Sequence, residues 1–286
     1  MAAVCERKHR GGRVIPRDYI TEWRERAPWS EDFQVEQDLV ISRALVEIFS
    51  DAVLAGALAF RGGTALYKLY LTPPARYSED IDLVQVAPGP VGSVMDSLRN
   101  ALDPWLGEAR WKQSQGRVTF GYRFLSEDAP AMPLRLKVEI NTREHFAVLG
   151  FKRRAFSVES RWYSGRADIA TFDLDELLAT KLRALYQRRK GRDLFDLAMG
   201  LADQRSDASR IATVFRKCME REGAAVTRAM FEQNLAGKVG DAQFNADMSA
   251  LLRPGFEWRP EEAARSVSEG LIPLLPGEPW KGETQG

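Results

Sequence analysis

The sequence has 286 residues, of which 44% are hydrophobic and 28% are charged, as expected for a folded globular protein with one large domain or two ordinary ones. Its 41 Lys and Arg residues nearly balance its 40 Asp and Glu residues, so the net charge of +1 predicts no general polyanion binding and leaves any nucleic-acid contact to a local patch. Two histidines are too few to support a histidine-rich zinc site, an HExxH peptidase or a compact Ser-His-Asp hydrolase.

The N-terminal part of the chain predicts helices and a reduced environment. The first residues lack the apolar stretch of a signal peptide, and Cys5 and Cys218 form no CxxC motif, so we expect a reduced, cytoplasmic setting. No segment reaches ~18 uninterrupted apolar residues, which predicts no membrane contact. Pro16 suits the first turn of one helix, and Ser30 is the expected cap of a second helix that packs on a sheet.

The central part of the chain predicts an α+β core. The stretch "ALAFRGGTALYKLYL" is typical of a short strand, a glycine turn and a helix capped by Thr64. The stretch "RYSEDIDLVQVAP" predicts a strand that stops at Pro88, and "GSVMDSLRNALDPWL" predicts a polar helix. The alternating runs "RVTFGYRFL" and "LRLKVEINTRE" predict a β-hairpin on the same sheet.

From about residue 170 the pattern is almost wholly helical, up to about Leu275. We therefore expect an α+β fold with a mixed, twisted sheet flanked by helices, followed by a helical C-terminal domain. The expected boundaries are 1–168 for the core with its leading helices, 169–276 for the helical domain and 277–286 for a loose tail. A cleft is expected between the two domains.

Two aspartates, Asp80 and Asp82, lie one residue apart in the strand "DIDL". Side chains alternate between the faces of a strand, so both carboxylates point the same way, with Cα atoms roughly 6.6 Å apart. Two unpaired carboxylates would repel each other, and a divalent metal between them would relieve the repulsion. Oxygen ligands without histidine or thiolate favour Mg²⁺ or Mn²⁺ over zinc, and point to phosphoryl-type transfer. The alternative is a pair of surface acids facing Lys or Arg.

The segment "RGGT" precedes a predicted helix and lies upstream of the two acids. Backbone N–H groups of Gly62, Gly63 and Thr64 at a helix N-terminus are suited to binding a polyphosphate. Glycine also lets the backbone approach phosphates without a side chain in the way. By itself "GGT" is equally consistent with a tight turn, but the order of strand, "GGT", helix and "DxD" is more specific.

A third acid is expected from a neighbouring strand. In "LRLKVEIN" the apolar residues share one face, and Glu139 is the acid on the other face. Glu139 is therefore the candidate third metal ligand or base. The alternative is a salt bridge to Lys137 or Arg135 on a solvated face.

The predicted helical domain contains a further lysine and two more acids. Lys181 shares a helix face with several leucines, so its ammonium either reaches solvent at the edge of the apolar stripe or points into a cleft. Asp193 and Asp196 share one face of the next helix. The structural alternatives are that Asp193 complements the helix N-terminus and that Asp196 pairs with an arginine.

Two basic segments are candidates for the local patch that the net charge does not show: "FKRR" at 151–154 and the loop containing Arg188, Arg189, Lys190 and Arg192. If they flank the expected cleft, they suit a strand of RNA better than a small neutral acceptor. The alternative is that these loops are simply solvated.

These motifs carry a resemblance to a known family. A glycine turn, a DxD strand and a later acid resemble the nucleotidyltransferase superfamily of the DNA polymerase β type. More narrowly, "FRGGTALYKLY", "RYSEDIDL" and "KLRALYQRRKGRDLFDLA" resemble the AbiEii/AbiGii nucleotidyltransferase toxins of bacterial abortive-infection and toxin–antitoxin systems. The resemblance spans about residues 15–210, and the last seventy-odd residues match no motif.

The resemblance implies the roles of several residues. It implies that Asp80 and Asp82 hold Mg²⁺ or Mn²⁺, that Lys181 meets nucleotide phosphates, and that "RDxxDL" is a catalytic motif shared between Asp193 and Asp196. With it we expect the remaining nucleotide-binding residues to act on the triphosphate: Gly62, Gly63, Thr64, Arg76 and Ser78.

The resemblance also implies a reaction and its partners. A nucleoside monophosphate would pass from a nucleoside triphosphate to the 3′ end of tRNA, which would block translation and growth. The implied protein partner is a cognate antitoxin, usually a winged-helix transcriptional regulator. Two alternatives remain: a nucleotidyltransferase acting on a small molecule such as an antibiotic, and a catalytically silent RNA- or protein-binding module.

Overall fold

The computed structural model describes residues 15–127 and 130–282. Cys5 and the first residues of the chain lie outside these ranges, so the predictions that concern them are not addressed by the structure. No helix among the described residues combines the length and the hydropathy needed to cross a membrane. The chain divides into two compact units.

The first unit, here called the sheet unit, contains the residues up to Phe60, Ser78–His145 and Arg153–Thr171. Its described helices are α1 (Arg17–Trp23), α2 (Asp32–Ser50), α3 (Ala52–Ala57) and α5 (Gly92–Leu106). Helix α4 (Gly62–Leu69) belongs to the second unit. The strands are β1 (Leu58–Arg61), β2 (Asp80–Gln85), β3 (Arg110–Ser114), β4 (Arg117–Leu125), β5 (Pro133–Asn141), β6 (Lys152–Glu159) and β7 (Ser164–Thr171).

These strands form one seven-stranded sheet in the order β3-β4-β5-β2-β1-β7-β6. β2 is parallel to β5 and β1 is parallel to β7, while β4 is antiparallel to both β3 and β5. The sheet is therefore mixed, and the predicted α+β fold and the predicted β4–β5 hairpin are confirmed.

One face of the sheet is covered and forms the core of this unit. Helices α2 and α5 contact its strands, and Val118, Phe120 and Tyr122 on β4 are fully buried with Val138 on β5. The alternate positions of β4 point to the other face, where Arg117, Arg123 and Leu125 are exposed. This alternation is the period of two that a half-buried strand requires.

The second unit, here called the helical unit, contains Arg61–Tyr77, Phe146–Lys152 and the residues from Phe172 onward. Its helices are α4 (Gly62–Leu69), α6 (Leu174–Gln187), α7 (Gly191–Leu201), α8 (Ala208–Arg221), α9 (Arg228–Val239), α10 (Ala242–Ala246) and α11 (Pro260–Gly270), followed by a 3-10 turn at Ile272–Leu274. The predicted helical character from about residue 170 is confirmed. The domain boundary at residue 168 stays a prediction, because the units of the structure interleave along the chain.

Two predicted helix caps are wrong. The cap of α2 is Glu31, which forms a capping box with Gln34, so Ser30 lies one residue too early. Thr64 lies inside α4, because that helix begins at Gly62 and its N-cap residue Arg61 makes no side-chain cap. The glycine pair therefore forms the first turn of the helix.

Three strands were not predicted: β3, β6 and β7. β3 is exposed along its whole length, and β6 is exposed at most positions, so neither has the apolar alternation that marks a half-buried strand. The basic segment "FKRR" was predicted as a loop, but Lys152, Arg153 and Arg154 begin β6.

Candidate functional site

Strand β2 places the two predicted aspartates on one face of the sheet. Asp80 and Asp82 are partly exposed, whereas Ile81 and Leu83 between and after them are buried. This is the geometry that the strand alternation predicts. Ser78, two residues before the strand, is half-buried.

The strand register brings the predicted third acid beside this pair. β2 and β5 are parallel, with Asp80 opposite Lys137 and Asp82 opposite Glu139. Residues opposite each other in neighbouring strands share a face, so the three carboxylates and Lys137 lie together. We call Asp80, Asp82 and Glu139 the acidic cluster.

A lysine and an arginine contact the acidic cluster. Lys137 Nζ lies 2.7 Å from Asp80 Oδ2 and 3.9 Å from Glu139 Oε2. Arg117 Nη1 lies 3.3 Å from Glu139 Oε1. Burial lowers the pKa of Lys137, but the hydrogen bond to Asp80 and the charges of Asp80, Asp82 and Glu139 outweigh it and raise the pKa overall. Lys137 is therefore a protonated ammonium that partly offsets three negative charges.

The donor chemistry of this cluster suits a hard divalent cation. Among the described residues, no group of three or more His, Cys, Asp or Glu side chains is arranged to hold a metal ion. Asp80 and Asp82 nevertheless supply two carboxylates on one face, and Mg²⁺ commonly takes one or two carboxylates and completes its shell with water and phosphate oxygens. Such a cation would have to compete with Lys137 for Asp80. The role of Glu139 as a ligand stays a prediction.

The predicted phosphate-binding residues form the first turn of α4, in the helical unit. Gly62 has a φ angle of +81°, a left-handed conformation that favours glycine. Thr64 is buried, with 2% of its surface exposed. The first N–H groups of a helix have no intrahelical acceptor, and the helix dipole adds partial positive charge at this end. The turn is therefore suited to an anion.

The helical unit also contains a buried group of charged side chains. Asp193 and Asp196 on α7 are both fully buried. Lys181 on α6 lies between them, with Nζ 3.2 Å from Asp193 Oδ1 and 2.7 Å from Asp196 Oδ2. Lys181 therefore points at the acids and does not reach solvent at the edge of the leucine stripe.

Each acid has a second basic partner. Arg188 donates to both oxygens of Asp193, at 2.7 and 2.9 Å, and Arg76 donates to both oxygens of Asp196, at 2.6 and 2.7 Å. Arg76 also donates from Nη1 to the carbonyl of Tyr77, so its guanidinium is engaged within the chain. We call Tyr67, Arg76, Lys181, Arg188, Asp193 and Asp196 the buried charge cluster.

Tyr67 completes this cluster, because its hydroxyl donates to Asp196 Oδ1 at 2.8 Å. Burial, followed by the charge of Asp196, raises the pKa of Tyr67 well above its ordinary value. Burial also acts to raise the pKa of Asp196, but Arg76 and Lys181 outweigh it and lower that pKa. The pKa of Asp193 is lowered in the same way by Lys181 and Arg188, against the effect of burial. Both acids are therefore carboxylates at neutral pH.

The predicted basic loop is largely paired with acids of the helical unit. Arg188 binds Asp193, as described above. The other ion pairs of this loop are Arg189 with Asp241 at 3.3 Å, Lys190 with Asp247 at 3.4 Å and Arg192 with Asp247 at 3.8 Å. Lys152 of the second basic segment lies 3.9 Å from Asp173. These cations are thus less available to RNA than the sequence alone indicates.

Sequence reasoning missed Tyr67 and assigned Arg188 only to a basic loop. Tyr67 follows Thr64 by three residues in "GGTALYKLY", and nothing in that spacing indicates a carboxylate partner 129 residues away. Lys137 was considered only as a partner of Glu139, whereas its shorter contact is with Asp80. Only the strand register shows this preference.

Comparisons with known proteins identify the family. Residues 43–266 match the model of the family described as nucleotidyl transferase AbiEii toxin, type IV toxin–antitoxin system. This match covers more than half of the chain, and the protein therefore belongs to the AbiEii family of nucleotidyltransferase toxins. A sequence comparison with curated proteins gave no match.

Two solved structures show the same fold. The MenT4 nucleotidyltransferase toxin from Mycobacterium tuberculosis H37Rv has a TM-score of 0.67 at 17% identity, covering 91% of this chain and 89% of that one. JHP933 from Helicobacter pylori has a TM-score of 0.57 at 17% identity, covering 85% of this chain and 92% of that one. At these identities the likeness concerns the fold.

Proposed function

We propose that this toxin transfers a nucleoside monophosphate from a nucleoside triphosphate to an RNA acceptor, the 3′ end of tRNA. The acceptor hydroxyl oxygen forms a bond to the α-phosphorus, the bond from that phosphorus to the bridging oxygen breaks, and pyrophosphate leaves. The observation that carries the proposal is the acidic cluster on β2 and β5, in a chain that belongs to a nucleotidyltransferase family.

Asp80 and Asp82 are the residues that we propose to hold Mg²⁺ or Mn²⁺, with Glu139 as a third ligand or a base. When bound, the metal offsets charge on the phosphates and stabilises the attacking and leaving oxygens. The carboxylates lie on one face, and their partial exposure lets a nucleotide reach them. Opening of the ion pair between Asp80 and Lys137 would free the first of these ligands.

The first turn of α4 is the proposed phosphate-binding element. The N–H groups of Gly62, Gly63 and Thr64 would donate to phosphate oxygens, as helix N-termini do in other phosphate sites. The half-buried Ser78 would add a hydroxyl donor. Arg76 was expected to neutralise nucleotide charge, but its contacts with Asp196 favour a role in holding that acid in place.

The buried charge cluster supplies the remaining proposed groups. An ammonium has three N–H donors, and Lys181 gives two of them to Asp193 and Asp196. We propose that its third donor meets a phosphate oxygen of the triphosphate. Asp193 and Asp196 would fix the orientation of Lys181, and Asp193, whose partner Arg188 is half exposed, is the better candidate to accept the acceptor's proton.

The biological setting follows from this reaction. Added nucleotides at the tRNA 3′ end would prevent aminoacylation and so arrest growth, which suits a toxin. We propose that the reaction takes place in the cytoplasm and that a cognate antitoxin, of the winged-helix regulator type, restrains it.

The test is transfer of label from each of the four α-³²P-labelled nucleoside triphosphates to total bacterial RNA in the presence of Mg²⁺. Wild type is compared with Asp82→Ala and with Asp96→Ala, a control that removes an exposed acid on α5. Label in the tRNA band with wild type and Asp96→Ala, and none with Asp82→Ala, is the expected result. Label in a small-molecule acceptor but not in RNA would favour the antibiotic-type alternative, and no transfer at all would favour the silent binding module.

A further inference from the structure

The uncovered face of strands β3, β4 and β5 carries a row of cations. The strand register aligns these residues in rows across β3, β4 and β5. One row consists of Arg110, Gly121 and Lys137, and the next consists of Lys112, Thr119 and Glu139. Arg123 is opposite Arg135 in the same way. Residues aligned across strands share a face. We call this surface the open face; its basic residues are Arg110, Lys112, Arg117, Arg123, Arg135 and Lys137.

The charge of the open face is strongly one-sided. These six strand positions are basic, and Glu139 is the one acid at the positions of β3, β4 and β5 that share the face. The whole chain has a net charge of +1, so this concentration of positive charge is local. Five of the six basic residues are exposed, and Lys137 is partly buried.

Four of these cations are not neutralised by neighbouring acids. Arg117 pairs with Glu139, and Lys137 pairs with Asp80 and Glu139. Across the described ranges 15–127 and 130–282, no ion pair involves Arg110, Lys112, Arg123 or Arg135. This contrasts with the basic loop at 188–192, whose cations are paired.

Two glycines let arginine side chains lie against the sheet. A Cβ atom at Gly121 would lie 3.0 Å from Arg135 Nε and 3.2 Å from its Nη2, so the guanidinium rests on the backbone of β4. At the β3–β4 turn, Gly116 has a φ angle of +77°, and a Cβ there would lie 1.9 Å from Arg143 Cδ. Larger residues at either position would push these arginines away from the surface.

The open face is continuous with the acidic cluster. β2 lies beside β5 in the sheet, so Asp80 and Asp82 extend the same face as Lys137 and Glu139. Three strand spacings separate β3 from β2, roughly 14 Å. This distance corresponds to about four nucleotides of a stacked strand.

We propose that the open face binds the sugar-phosphate backbone of the RNA acceptor and leads its 3′ end to the acidic cluster. The inference rests on the proposed function for the reaction itself, and it adds where the acceptor lies. Arginine and lysine offset phosphate charge by releasing counterions, and a guanidinium also donates two parallel hydrogen bonds to a phosphate. An acidic protein segment would meet the same charges, but the direct continuity with the proposed transfer site favours the acceptor.

The test uses a triple variant, Arg110→Gln/Lys112→Gln/Arg123→Gln, in which three exposed cations of the open face are replaced by neutral residues. We call it the open-face variant. The matched control is Arg216→Gln/Lys217→Gln/Arg265→Gln, which removes three exposed cations from α8 and α11. Circular dichroism and thermal melting check that both variants fold like wild type. Binding of a fluorescein-labelled single-stranded RNA of about 20 nucleotides is then measured by fluorescence anisotropy between about 50 and 200 mM NaCl.

We expect wild type and the control variant to bind the RNA alike and the open-face variant to bind about tenfold or more weakly at low salt. The slope of log K against log salt should fall by about 2, since each lost contact with single-stranded RNA removes about 0.7. Equal binding by all three proteins would overturn the proposal. If wild type binds labelled polyglutamate and the open-face variant does not, while both bind RNA alike, the proposal is overturned in favour of an acidic protein partner.

Transfer assays separate this inference from the proposed function. If wild type labels tRNA and the open-face variant does so with an unchanged KM for tRNA, the proposed reaction stands and the proposed role of the open face in RNA binding is wrong. If the open-face variant loses RNA binding but wild type transfers no nucleotide to RNA, the open face stands as an RNA-binding surface and the reaction fails.

Discussion

Arg76 holds both carboxylate oxygens of Asp196, at 2.6 and 2.7 Å, and both side chains are buried. The two residues are 120 positions apart in sequence. A bidentate guanidinium–carboxylate pair fixes the relative orientation of its two partners. The segment before β2 and the "RDLFDL" segment of α7 are therefore tied together within the helical unit.

Arg76→Met should destabilise the protein by about 3–5 kcal/mol, because it leaves Asp196 buried with fewer partners. Urea denaturation measures the change. The control is Arg99→Met, whose side chain is 47% exposed and pairs with the exposed Asp96 and the partly buried Asp103 on α5. Its expected effect is within about 0.5 kcal/mol. Equal destabilisation by both variants would show that the buried pair contributes no more to the free energy of unfolding than the pairs of Arg99.

Asp80→Asn and Asp82→Asn should each lower nucleotide transfer by about 100-fold or more, since each removes a charge that the proposed metal requires. Stability should change by no more than about 0.5 kcal/mol, because both side chains are partly exposed. Transfer kinetics and urea denaturation are measured on the same preparations. Asp96→Asn is the control, and retention of activity by Asp82→Asn would remove the acidic cluster from the mechanism.

Lys137→Met should increase the affinity of the free protein for Mn²⁺. The ammonium occupies Asp80 and offsets the charge of the acidic cluster, so its removal favours a cation there. Removal of one unit charge about 4 Å from a divalent cation in water is worth about 2 kcal/mol, or a roughly 30-fold lower Kd. Isothermal titration calorimetry without nucleotide measures this change independently of activity.

The control for this prediction is Lys112→Met, which removes an exposed cation from β3. Unchanged Mn²⁺ affinity in this variant and tighter binding in Lys137→Met is the expected pattern. Weaker Mn²⁺ binding by Lys137→Met would mean that Lys137 orients the acids and does not compete with the metal.

Lys238 should make stability rise with pH above neutrality. Its ammonium donates to the carbonyls of Leu185 and Tyr186 at the end of α6. Burial, together with the charge of Arg189, lowers the pKa of Lys238 from 10.5 to about 8. Between these values the unfolded chain binds more protons than the folded chain, so the free energy of unfolding increases with pH in that window.

The comparison is between wild type and Lys238→Met in urea denaturation at several pH values from about 7.5 to 10. The variant should lack part of the upward slope, while Lys217→Met, which changes an exposed lysine of α8, should keep it. Parallel curves for wild type and Lys238→Met would show that Lys238 has an ordinary pKa in the folded protein.

Much of the sheet could be predicted because apolar and polar residues alternate along β4 and β5. The edge strand β3, with the sequence "RWKQS", buries no residue and so leaves no such pattern. The same alternation placed Asp80 and Asp82 on one face. It could not place Glu139 beside Asp82, because alternation fixes the face of Glu139 but does not show which residue of β2 lies opposite it.

The buried charge cluster could be predicted only in part from the sequence. Helical spacing put Asp193 and Asp196 on one face of α7 and Lys181 on the leucine stripe of α6. How two helices pack depends on side chains from both, so the contact between Lys181 and the acids did not follow from either helix alone. Arg76 was assigned to the nucleotide because local spacing carries no information on its distant partner Asp196.

The most direct test of the account is transfer from an α-³²P-labelled nucleoside triphosphate to purified tRNA with an intact 3′ end, compared with the same tRNA after periodate oxidation of that end. Wild type and Asp82→Asn are assayed with Mg²⁺. The account predicts label only with wild type and intact tRNA. Label in oxidised tRNA would contradict attack by the 3′ hydroxyl, and equal labelling by Asp82→Asn would contradict transfer at the acidic cluster.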